Sequence, residues 1–171
     1  MPPLSFAALL VFPLLMAFAA SSDLLTMRIS NRLVLLVMAG FFALALFTGM
    51  PLAEIGMHLA CAALVLAFAF AFAFFAFGWI GGGDAKFVAA TTLWVGFGLA
   101  LPYLVYAALL GGALTLALLA LRRWPLPEPL RRIDWIDRLH DSRTQIPYGI
   151  ALAAAGLLVY SDTAIFRSFI A

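Results

Sequence analysis

Two aspartates, Asp23 and Asp84, are the residues whose type and placement could do chemistry in this chain. The sequence has 171 residues and eight acids. Glu54 and Asp162 fall in or beside loops between apolar stretches. Glu128, Asp134, Asp137 and Asp141 belong to an arginine-dense segment, where solvated ion pairs are the default. Asp23 closes the first apolar stretch and Asp84 opens the fourth, so packing those stretches side by side would bring both carboxylates to one depth. In a low-dielectric site two carboxylates do not both ionise easily, and the pair holds one proton between them. The ionised member can take a proton from an attacking water. The protonated member can hydrogen-bond a peptide carbonyl and later supply the leaving amine, which is aspartic-protease chemistry.

Each aspartate also has a structural explanation. Asp84 directly precedes an apolar run and suits an N-cap, a role compatible with catalysis. Asp23 at a helix C-terminus meets an unfavourable macrodipole, so a structural role explains it less well. Acids inside membranes also serve ion paths.

The elements that must position these acids are set by a bilayer. The chain is 66% apolar, against roughly half for a soluble domain. Its charges cluster between long uncharged stretches, as a cost of about 2.5–3.5 kcal/mol per charge at a bilayer centre requires. A spanning helix needs about 20 apolar residues, fewer where packing or local thinning helps. Six stretches qualify, at about 4–22, 33–48, 55–77, 87–101, 103–121 and 147–160. The expected fold is all-α: a single peptidase domain over 1–171, built as a bundle of six transmembrane helices.

Ala17-Phe18-Ala19 resembles a signal-peptidase site, but no basic residue precedes Arg28, which favours a retained first helix. With the N-terminus outside the cytoplasm, every Lys and Arg except Arg167 falls in a cytoplasmic loop, as the positive-inside rule asks. The segment at about 128–143 carries Leu130, Ile133, Ile136 and Leu139 at helical spacing among charges. It is expected to be a short interfacial helix anchored by Trp135, touching membrane lipids and their anionic headgroups. The Phe and Ala alternation from Ala67 to Phe77 suits a lipid-facing and packing surface. Gly78 to Gly83 is glycine-dense at a membrane boundary, where bare backbone persists if it lines a wet or protein-buried cavity. Cys61 is the one cysteine, which excludes an internal disulfide and paired-cysteine metal or redox motifs. No cofactor, metal or nucleic acid is expected.

Gly81-Gly82-Gly83-Asp84-Ala85-Lys86 resembles the GxGD signature, in its G-x-G-D-x-K form, of type IV prepilin peptidases, aspartic proteases of the bacterial inner membrane. Asp23 to Asn31 is similar to the family's other catalytic motif, an Asp followed by an Ile and an Asn. Ile146-Pro147-Tyr148-Gly149 resembles the Pro-Tyr/Phe-Gly start of its last span. The resemblance implies Asp23 and Asp84 as the catalytic pair, and prepilins or pseudopilins with a basic leader and an apolar helix as substrates, cut at the cytoplasmic face. Gly81 and Gly83 would then let the chain approach an extended substrate. Lys86 would steer acidic groups, tune the pair or anchor the span, and Asn31 would bond the loop around Asp23 or end a turn. The short Asp23–Arg32 interval and single cysteine resemble the compact members of tight-adherence (Tad/Flp) pilus systems and speak against methyltransferase activity. A presenilin-like protease fits less well, because Asp23 follows Ser22 three spans before the glycine motif. A small ion-coupled transporter and a pilus-assembly scaffold are the alternatives outside the protease class. His58 is expected near the outer face, away from the acids.

Overall fold

The computed structural model describes residues 3–75 and 82–170, so Gly81 and the end of the third expected span lie outside the described residues. The described residues form helices α1 (Pro3–Thr26), α2 (Asn31–Phe47), α3 (Leu52–Phe75), α4 (Gly82–Leu121), α5 (Glu128–Arg131), α6 (Asp134–His140), α7 (Tyr148–Tyr160) and α8 (Ala164–Ile170), with no strand among them. By length and composition α1, α3 and α4 can each cross a membrane, and α7 with α8, bent by 41°, form a fourth if taken as one span. Helix α2 is apolar but has 17 residues. Phe6, Leu35, Leu64, Leu109 and Leu116 point outward. That surface suits hydrocarbon and is penalised in water.

The core is aromatic and lies where α1, α2, α4 and α7 meet. Phe12 packs between Trp94 and Tyr160, with ring centroids 4.9 and 4.8 Å away. Trp94 is fully buried and donates its indole N–H to the Val37 carbonyl at 2.9 Å, tying α4 to α2. Tyr160 donates its hydroxyl to the Leu9 carbonyl at 2.9 Å, tying α7 to α1. Both polar handles therefore find acceptors in an apolar interior, as buried Trp and Tyr require.

Helix α4 is two helices folded back on each other. A straight helix would separate Asp84 from Gly111 by about 40 Å at roughly 1.5 Å per residue. Yet a Cβ on Gly83 would lie 3.2 Å from the Ile29 carbonyl, one on Gly149 would lie 2.8 Å from Ile29 Cδ1, and one on Gly111 would lie 3.3 Å from the Tyr148 ring. Both ends of that stretch thus reach the same neighbourhood. The break is Gly96, whose φ of 68° and ψ of 179° suit glycine. Its departure from helical angles leaves the Leu93 carbonyl without its partner four residues on. His58 supplies one: its Nδ1 lies 2.7 Å from that oxygen, and because a carbonyl can only accept, Nδ1 carries the proton. The helical break thus falls at Gly96, five residues before the expected boundary between 101 and 103.

Gly96 meets two demands at once, since a Cβ there would also sit 2.8 Å from the His58 ring. Gly96→Ala is expected to destabilise the protein by about 1–3 kcal/mol, seen as a lowered thermal unfolding midpoint in detergent. An unchanged midpoint would contradict this account of the break.

The interfacial segment also differs from expectation. It forms two short helices, α5 and α6, because Ile133 takes an extended backbone (φ −101°, ψ 105°) at the start of α6. Helix α8 lies beyond the expected spans, and its Arg167 pairs with Asp162 at 3.0 Å, the one ion pair among the described residues.

Candidate active site

Asp23 stands in the last turn of α1 and Asp84 in the first turn of α4. Both face one cavity of about 460 Å³ and lie within electrostatic reach of each other. Its wall runs from Asp23 through Met27 to Asn31, then Gly82 to Asp84, and is closed by Gln145 to Pro147. Three segments distant in sequence therefore meet there. Among the described residues no three His, Cys, Asp or Glu side chains converge as a metal-ligand set.

Asp23 is 4% exposed, and its Oδ2 accepts the Gly149 backbone N–H at 2.7 Å. Gly149 is in the first turn of α7, a helix whose N-cap, Pro147, provides no side-chain hydrogen bond. The unsatisfied N–H groups and positive dipole end of α7 are thus aimed at the carboxylate. This adds a second dipole to the one expected to oppose a charge at Asp23. The C-terminus of α1 does so, but α7 offsets it from across the bundle. A side chain at Gly149 would lie 2.7 Å from Asp23 Oδ2 and 3.0 Å from Asp23 Cβ, so a carboxylate can approach this closely because the residue is glycine.

The connection from α1 to α2 shapes the floor. Met27 closes α1 with a positive φ of 54°, a left-handed helix end that glycine usually fills. The Thr26 hydroxyl lies 2.7 Å from the Ser22 carbonyl and 3.2 Å from the Arg28 carbonyl, holding the turn. Ser30 then caps α2 by accepting the Leu33 N–H at 3.2 Å. Gly83 presses on this connection, where a Cβ would lie 3.2 Å from the Ile29 carbonyl. Close packing against Ile29 is thus the visible need for glycine at 83, and it sets the height of Asp84. At Gly82 no atom of the described residues would meet a Cβ within 4 Å.

Asn31 begins α2 and lines the cavity. Its Oδ1 accepts from Lys86 Nζ at 3.1 Å, so Lys86 ties α4 to α2 two residues beyond Asp84 rather than entering the acid cavity. His58, by contrast, is committed to Leu93 and Gly96, away from the acids. If the Lys86–Asn31 bond contributes as drawn, a double-mutant cycle of Lys86→Met and Asn31→Ala should give a coupling of about 0.5–1.5 kcal/mol in thermal unfolding. Additive effects would show that the bond contributes nothing.

Sequence reasoning singled out Asp23, Asp84, Gly83, Lys86 and Asn31, and the fold gathers them at one end of the bundle. Gly149 was not among them, although Pro147-Tyr148-Gly149 was a visible signal: a proline without an N–H, then a glycine, opening an apolar helix. Residues 10–116 match the sequence model described as the type IV leader peptidase family, more than half of the chain. No curated protein and no solved structure matches.

Proposed function

Because the chain belongs to the type IV leader peptidase family, we propose that it is an aspartic endopeptidase that removes basic leaders from prepilin or pseudopilin precursors, with Asp23 and Asp84 as its catalytic pair. The observation that carries this reading is the meeting of the two carboxylates, from helices far apart in sequence, on one cavity at the charge-rich end of an apolar bundle. One carboxylate, ionised, takes a proton from water as the oxygen attacks the scissile carbonyl. The other, protonated, hydrogen-bonds the carbonyl oxygen and then delivers its proton to the departing amine. Asp23 is held for this by Gly149, which binds Oδ2. Its Oδ1 has no protein partner among the described residues.

The acid end carries Arg28, Arg32 and Lys86, and the arginine-rich α4–α7 connection joins it through Gln145. By the positive-inside rule this end faces the cytoplasm of an inner membrane. Six crossings then follow if α2 spans by tilt or local thinning, the two halves of α4 count separately and α7 completes the set. A basic leader would stay in the cytoplasm and an apolar segment would enter the bilayer, leaving their junction at the depth of Asp23 and Asp84. The compact Asp23–Arg32 interval favours pilins of tight-adherence systems as substrates.

Co-expression with candidate precursors from the same genome, with leader removal scored by mass spectrometry, tests the proposal. Shortened pilins are expected. Intact leaders beside a folded, inserted chain would overturn it.

A further inference from the structure

Helices α2 and α3 are consecutive, yet they barely pack on each other; each lies instead on α4. They touch near the end where they are joined, at Phe41 and His58, whose ring centroids are 5.3 Å apart. Toward the other end a groove of about 280 Å³ lies between them. Val34 and Met38 form one wall, Leu59 and Ala63 the other, and Ala89 and Ala90 the floor. Small residues on the floor let a visiting helix or extended chain approach the α4 backbone closely.

The groove adjoins the acid cavity. Lys86 lines the groove, Asn31 lines the cavity, and these two residues are hydrogen-bonded at 3.1 Å. From that junction the groove follows α4 from Lys86 to Leu93, away from Asp84 and toward the middle of the bundle. At roughly 1.5 Å per residue that is about 10 Å of depth, a third of a hydrocarbon core. A peptide with its scissile carbonyl between the two aspartates and its following residues apolar would have this surface directly ahead of it.

We propose that the apolar groove between α2 and α3 docks the apolar segment of the substrate on the carboxyl side of the scissile bond. The assignment rests on the peptidase reading above and adds the place where affinity for the precursor is generated. It makes Ala63, on the α3 wall, a specificity determinant. Leu64 is the matched neighbour, because it is 63% exposed and points away from the groove.

The test has two arms. Ala63→Trp, which fills the groove, is expected to lower kcat/KM for a full precursor about tenfold or more, from lost apolar burial. Leu64→Trp is expected to process it at the wild-type rate. Equal rates for both variants would overturn the groove. In the second arm, a benzophenone amino acid at position 63 in an Asp84→Asn chain is irradiated with uncleaved precursor in vesicles of phosphatidylethanolamine and phosphatidylglycerol. Cross-links to the precursor's apolar segment support the proposal; cross-links to lipid alone overturn it in favour of a lipid acyl chain. A wild-type chain that leaves every precursor whole overturns the peptidase reading by itself, and the cross-link still decides the groove.

Discussion

Asp23→Asn and Asp84→Asn are each expected to leave a folded, inserted chain in which leader removal falls by about 10²–10⁴-fold, the range that a positioned acid or base supplies. The Asn substitution separates catalysis from capping. At position 23 the side-chain carbonyl of Asn can still accept the Gly149 N–H, now made by Asp23 at 2.7 Å, and Asn caps helix N-termini about as well as Asp. If Asp23 merely completed the N-terminus of α7, Asp23→Asn would therefore be silent in both stability and processing. An amide, however, cannot take a proton from water. At position 84 the expected N-cap role does not apply, because α4 begins at Gly82 and Asp84 lies inside its first turn; Asn there keeps the size of the side chain but cannot share a proton with a partner. Mass-spectrometric scoring of precursor and mature pilin, beside thermal unfolding of the purified variants, gives both readouts. Wild-type processing by either Asn variant would exclude that aspartate from the pair.

Gly149→Ala is expected to be nearly as damaging, although it removes no chemical group. Its methyl would lie 2.7 Å from Asp23 Oδ2, 2.8 Å from Ile29 Cδ1 and 3.0 Å from Asp23 Cβ. Those neighbours are a buried carboxylate and the tip of the buried Ile29 side chain, whose backbone Gly83 also approaches. Overpacking of this kind costs about 1–3 kcal/mol. A reacting group displaced by about 1 Å can lose about 10²-fold in rate. Gly112→Ala is the control, because among the described residues nothing lies within 4 Å of a Cβ there. In a helix interior that change should stabilise by up to about 1 kcal/mol. If Gly149→Ala processed precursors like Gly112→Ala, Asp23 would not be held in the way described.

What could be read from the sequence concerns solvent and sides. Apolar length and clustered charge require a bilayer, because an ion in hydrocarbon is penalised wherever the helices pack. Asp23 and Asp84 share one end by the same argument, which needs no contact map: each adjoins the basic residues that mark that end. The glycine at 83 was also visible, though its reason, the Ile29 carbonyl, was not, and neither was the Ser30 cap of α2.

Direction and contact were decided by the tertiary structure. Trp94 to Leu101 is apolar throughout, so hydropathy is blind to where the chain turns within it, and Pro102 is the more conspicuous residue. The turn falls at Gly96 because His58, from α3, takes over the Leu93 carbonyl and occupies the space a side chain would need. The environment of Asp23 is likewise invisible locally. Its own helix places a negative dipole end beside it, and the compensating N–H comes from 126 residues away. Sequence patterns record what each segment must hide from water or lipid. Which helix end meets which carboxylate is settled only when buried backbone groups find partners across the bundle.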